Sequence, residues 1–187
     1  SYPRTPSNWT GSIGGTGSYQ PEGGLDALKY GVISTGKDYE YNKHNWDNYP
    51  NPKTHDGATD NNVLMMYSNK PSSYSYVSSS FDVKPGKFYK LTFWAYTSPT
   101  ISGEVDSDGT PKAGTDYGAY VKVSGSGING EWMDVKTNGK WQKFEMYVEG
   151  GANSSSSLKV TFGLGYGDKT DKHLTKGHAF FDDVVLE

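Results

Sequence analysis

The sequence predicts an all-β sandwich of two antiparallel sheets, and three observations carry that reading. Rings form a large share of the apolar inventory: aromatic residues make up 14% of a 187-residue chain whose hydrophobic residues reach only 33%, and aromatic side chains pack best on pleated surfaces. Turn formers abound, with 24 Gly and 9 Pro beside many Ser and Asn residues, which argues against long helices and coiled coils. From Asn61 onward, runs of β formers alternate with turn signals and no helical period intervenes, as the short strands of a sandwich require. A chain of this length buries roughly two thirds of the surface it exposes when unfolded, so a single domain over 1–187 needs no disulfide, and there is no Cys to form one.

The elements run in order along the chain. Residues 1–60 are loop-rich, with Gly14-Gly15, Gly23-Gly24 and Tyr49-Pro50-Asn51-Pro52 punctuating a polar stretch in which Leu25–Ser34 is a short strand candidate. Val63–Tyr67 and Tyr76–Val83 are strands, and Lys84-Pro85-Gly86-Lys87 turns the chain into a third, Phe88–Thr97. There, alternation gives Tyr89, Leu91, Phe93 and Ala95 to the core and sends Trp94 and Tyr96 to the opposite face. In Tyr117–Ser124, Tyr120 and Lys122 stand opposite Ala119, Val121 and Val123, and are expected to share the surface of Trp94 and Tyr96. Trp46 and Trp132 are expected in loops, the latter flanked by Glu131 and Asp134. Asn138-Gly139 is a hairpin-type turn leading into Trp141–Glu149, whose core side is Phe144, Met146 and Val148. After Gly150–Asn153, Leu158–Tyr166 buries Leu158, Val160, Phe162, Leu164 and Tyr166. In His178–Glu187, alternation from Phe180 sends Asp182 inward with Val184 and Leu186, and Asp183 outward. Trp9 and Trp141 are assigned to packing. Strands of this number and spacing suit a jelly roll.

Composition excludes several chemistries. A net charge of -3 and a pI near 5.8 leave no electrostatic footprint for nucleic acid or anionic lipid. No apolar run approaches the roughly 18 residues of a membrane span, and Ser1–Pro6 lacks the layout of a signal peptide, so any export signal is expected to be already removed. Without Cys there is no thiol nucleophile or thiolate metal site. His44, His55, His173 and His178 show no zincin spacing, and no Gly-x-Ser-x-Gly elbow positions a serine. Glu104–Gly109 imitates the start of an EF-hand loop, but Thr115 stands where the twelfth-position Glu belongs, so it is read as a solvated loop. A glycosidase needs two carboxylates about 5 to 9.5 Å apart; Glu145 is the Glu placed inside a central strand, and it lacks a partner of clear character.

Phe81-Asp82-Val83-Lys84-Pro85-Gly86-Lys87-Phe88-Tyr89-Lys90-Leu91-Thr92-Phe93-Trp94 resembles the central segment of jelly-roll carbohydrate-binding modules, similar to families 4, 9, 16 and 22. Asn61–Met66, Asn138–Phe144 and, most specifically, Gly177–Leu186 resemble the strands around it, so that the likeness covers roughly residues 58 to 187. The resemblance implies a non-catalytic polysaccharide-binding module of a larger secreted bacterial protein, extracellular or attached at a cell surface and tethered to catalytic or surface domains. It also implies a structural calcium at Asp182, with Glu22, Asp26, Asp56 and Asp60 as candidate second ligands. Sugar rings present C–H faces that stack on flat side chains, so Trp94, Tyr96 and Tyr120 are expected to form an exposed platform edged by Lys122 and Trp132, with Trp46 as a further loop ring. A surface-layer or adhesin jelly roll and a small jelly-roll glycoside hydrolase such as a family 11 xylanase are the alternatives.

Overall fold

Alternating apolar residues drive the strands into two layers. The computed structural model describes residues 9–15, 30–34, 55–56, 62–68, 73–98, 118–125, 128–152, 157–164 and 177–187. Among them are ten strands: β1 Thr10–Gly15, β2 Tyr30–Ser34, β3 Asn62–Ser68, β4 Ser73–Asp82, β5 Phe88–Thr97, β6 Ala119–Gly125, β7 Ile128–Val135, β8 Trp141–Glu149, β9 Ser157–Leu164 and β10 Gly177–Leu186. The first sheet runs β1-β4-β9-β6-β7 and the second β2-β3-β10-β5-β8, all neighbours antiparallel. Strands adjacent in sequence mostly lie in different sheets, which makes the architecture the expected jelly-roll sandwich.

The inner faces agree with the alternation. Leu91, Phe93 and Ala95 of β5, Met146 and Val148 of β8, and Leu158, Val160, Phe162 and Leu164 of β9 are buried in one core with Val121, Val123 and Phe181. Phe93 is its centre, with ring centroids 5.4 Å from Phe144, 5.5 Å from Phe162 and 6.2 Å from Phe181. Trp9 closes one end by packing on Phe81 and Phe162. Tyr166 lies outside the described residues.

Two local devices shape the sheet surfaces. Asn138 (φ 53°) and Gly139 (φ 83°) both take the left-handed conformation, as a tight Asn-Gly turn demands, and carry the chain from β7 in one sheet to β8 in the other. Thr97 anchors that turn. Its N–H donates to Thr137 Oγ1 (2.7 Å), its own Oγ1 accepts from the Thr137 and Asn138 N–H groups (2.7 and 3.3 Å), and its carbonyl accepts from the Gly139 N–H (2.7 Å). The second device is a bulge in β10. Asp182 pairs with Trp94 but Val185 with Thr92, leaving one extra residue, and Asp183 absorbs it at φ 47°. The expectation that Asp182 points to the core with Val184 and Leu186 is therefore corrected. Asp182 shares the outer face with Phe180 and Trp94, and the bulge switches sides before Leu186 returns to the core.

Candidate functional site

The rings expected to form one platform lie on opposite surfaces of the sandwich. β5 belongs to the second sheet and β6 to the first, so Trp94 and Tyr96 are separated from Tyr120 and Lys122 by the full core. Simple alternation gives the face of a strand within its sheet and carries no information about which sheet it joins.

On the first sheet, register lines up Tyr76, Gly163, Tyr120 and Asp134 across β4, β9, β6 and β7, and beside them Ser78, Thr161, Lys122 and Trp132. Tyr120 folds flat across β9, because the space above Gly163 is filled by its ring; any Cβ there would collide with it. Trp132 stacks on Tyr120 at 4.3 Å between centroids and 16° between planes. The indole Nε1–H donates to Asp134 Oδ1 (2.9 Å), and Lys122 Nζ stands 5.8 Å from the indole centroid. Tyr120 is buried beneath the stack while Trp132 and Lys122 are half-buried. The result is a step of two rings, fixed in orientation by one carboxylate and one ammonium group. Beside it lie the hydroxyls of Ser78, Ser80, Thr161 and Ser124. Trp132 is not in a loop as expected; it is on β7, an edge strand whose Gly130, Glu131 and Asp134 hid it from a search for β formers.

The outer face of the second sheet is more enclosed. Tyr96 is buried against Phe180 and Trp141, which raises its phenol pKa through desolvation, so it is not an exposed platform residue. His178 is wholly buried on the same face, and burial pushes its imidazole down to about 3. Trp94 is half-buried and carries the His55 ring on its surface at 4.4 Å and 6°. Further along this face, Phe88 and Tyr147 are exposed. The Tyr147 hydroxyl donates to Glu145 Oε2 (3.1 Å), a bond that raises its pKa.

His55 is the residue that sequence reasoning missed. Its Nε2 lies 2.7 Å from Asp183 Oδ2 and 3.6 Å from Asp182 Oδ2. No local spacing announces a contact between residues 128 apart. Asp182 is buried with its Oδ1 accepting the Asp183 N–H (2.9 Å). Among the candidate second ligands, Asp56 is exposed and stands outside this cluster; Glu22, Asp26 and Asp60 lie outside the described residues, as do Trp46 and Glu104–Gly109. A cavity of about 550 Å³ opens between the sheets near Trp9, Leu64, Phe81 and Leu186. Its lining is mostly apolar but includes Asn62, Asp82, Asp182 and Asp183, so the cavity adjoins the His55 cluster.

No family model and no curated protein matches the chain. Among solved structures, it is similar to the enzymatically active domain of a bacteriophage CBA120 tailspike protein, with a TM-score of 0.49 and 15% identity over 96% of this chain and 19% of that one. It thus spans about a fifth of the length of that chain. It is also similar to a family 61 carbohydrate-binding module in complex with β-1,4-galactotriose, with a TM-score of 0.47 and 17% identity over 97% of this chain and 88% of that one. The K2 cleaved adhesin domain of Lys-gingipain has a TM-score of 0.45 and 14% identity over 98% and 90% of the two chains. Carbohydrate-binding modules of families 4, 11, 16 and 22 are among the other similar structures.

Proposed function

We propose that this chain is a non-catalytic polysaccharide-binding module whose ligand stacks on the Trp132–Tyr120 step of the first sheet. The observation that carries the reading is the step itself. An indole is held flat by a ring stacked on it, with a carboxylate at its margin, an ammonium group over it and a row of hydroxyls alongside. An apolar sugar face meets the indole once the flexible Lys122 side chain swings aside, and sugar hydroxyls exchange hydrogen bonds with Lys122, Asp134 and the accessible Ser80 and Ser124. The site lies on a sheet face, which suits internal segments of a chain. In this reading the module works outside the cell, tethered to catalytic or surface domains of a longer bacterial protein. Trp94 and Tyr96 take no part in glycan contact.

The test is affinity electrophoresis against cellulose, β-glucan, xylan, mannan, galactan and pectin, with a parallel assay for new reducing ends. Retardation by one or more glycans without hydrolysis is expected. Trp132→Ala should weaken binding by roughly 1 to 3 kcal/mol, by analogy with the stacking of bases on aromatic side chains. Release of sugars would favour the hydrolase. Retardation that survives Trp132→Ala would move the site elsewhere, and no retardation by any glycan would favour the adhesin.

A further inference from the structure

We propose that His55, Asp182 and Asp183 form a divalent-cation site, and that its nitrogen donor suits a borderline ion such as Zn²⁺ rather than the calcium implied by the family resemblance. Calcium takes oxygen donors, 6 to 8 of them at about 2.3 to 2.6 Å. The cluster instead brings one imidazole nitrogen and two carboxylates together, with one ligand atom from each residue within 4.8 Å of the others. Imidazole beside carboxylate is a donor set for zinc and its neighbours in the first transition row.

The two separations from the imidazole are close to what such an ion requires. Ligands about 2.0 to 2.2 Å from a tetrahedral Zn²⁺ stand roughly 3.3 to 3.6 Å apart. His55 Nε2 is 3.6 Å from Asp182 Oδ2 and 2.7 Å from Asp183 Oδ2, so one carboxylate has to withdraw by less than about 1 Å, a rotation available to the exposed Asp183 side chain.

The surroundings orient all three donors. Stacking on Trp94 fixes the imidazole plane, and Trp94 is the cross-strand partner of Asp182, which puts the ring and the carboxylate side by side. The Asp183 N–H holds Asp182 Oδ1 and leaves Oδ2 turned to His55. The β10 bulge sets consecutive carboxylates around one point, which regular alternation would send to opposite faces. Outer groups that hold ligands in this way are a regular part of metal sites. Among the described residues these are three protein donors, and a Zn²⁺ ion takes a fourth ligand in addition to them.

The experiment is calorimetric titration of the chelator-treated chain with Zn²⁺, Mn²⁺, Ca²⁺ and Mg²⁺, repeated on His55→Ala and Asp183→Asn. Melting curves of each variant without metal report folding, and Co²⁺ absorption serves as the probe of a nitrogen donor. Zn²⁺ should bind one equivalent and raise the Tm of the wild type. Both variants should lose that equivalent, and Co²⁺ should give a d–d band absent from His55→Ala. If His55→Ala fails to fold, the exposed Asp183→Asn substitution decides alone. The proposal is overturned if Ca²⁺ binds more tightly than Zn²⁺, if zinc binding persists in a folded variant, or if no cation binds. In the last case the cluster is a hydrogen-bonded clasp holding His55 to the sheet.

Discussion

At the scale of single residues, burial and close approach decide the outcomes. Gly163→Ala would place a methyl group inside the Tyr120 ring and force the stack beneath Trp132 to lift. Overpacking of this kind costs about 1 to 3 kcal/mol, so urea unfolding should register that loss and glycan affinity should fall with it. A substitution far smaller in volume than Trp132→Ala thus reaches the same site from below. His178 gives a pH prediction. Its imidazole has a pKa of about 3 in the fold against an ordinary 6.5, so the unfolded chain takes up a proton that the folded chain refuses. Stability from this group is fully present above about pH 6.5 and drains as pH falls toward about 3, at up to about 1.4 kcal/mol per unit. Between about pH 7.5 and pH 5 the wild type should lose about 2 kcal/mol through His178, a component that His178→Leu should lack in paired denaturant titrations.

At the scale of elements, Thr97 and Phe93 carry the clearest consequences. Thr97→Val keeps the shape but removes the oxygen that accepts from Thr137 and Asn138. Donors left buried without a partner cost roughly 1 to 3 kcal/mol, and the β7–β8 turn should exchange its amide hydrogens faster. Phe93→Ala empties the centre of the core and should cost about 3 to 5 kcal/mol in the same unfolding assay. The position of Phe93 was legible because period-two alternation runs unbroken through β5 and β9. In β7 it was hidden: an edge strand is solvated on more sides, so Gly130, Glu131 and Asp134 pass for loop residues. In β10 it failed at one residue, since a left-handed Asp183 is invisible to a count of alternating side chains. The strands of the sandwich were thus largely readable. The site was not, because Trp132 meets Tyr120 through strand pairing and His55 meets Asp182 through a contact across most of the chain.

At the scale of the whole molecule, the two outer faces are chemically separate surfaces, and a pair of tryptophans distinguishes them. Trp132→Ala should lower glycan affinity with little change in Tm, whereas Trp94→Ala should remove the shelf under His55, lower the Tm and leave affinity unaltered. The reverse pattern would exchange the roles of the sheets. The position of β10 reaches further. The last strand in chain order lies in the middle of the second sheet, between β3 and β5, so until it arrives β2–β3 and β5–β8 are two separated ribbons, each with an open inner edge. A nascent chain cannot close this sheet until Gly177–Leu186 has left the ribosome, and unpaired edges meanwhile invite pairing with another copy. A polypeptide cut before Gly177 should accordingly aggregate, and a synthetic strand of residues 177–187 supplied during refolding should fill the gap and restore the cooperative melting transition.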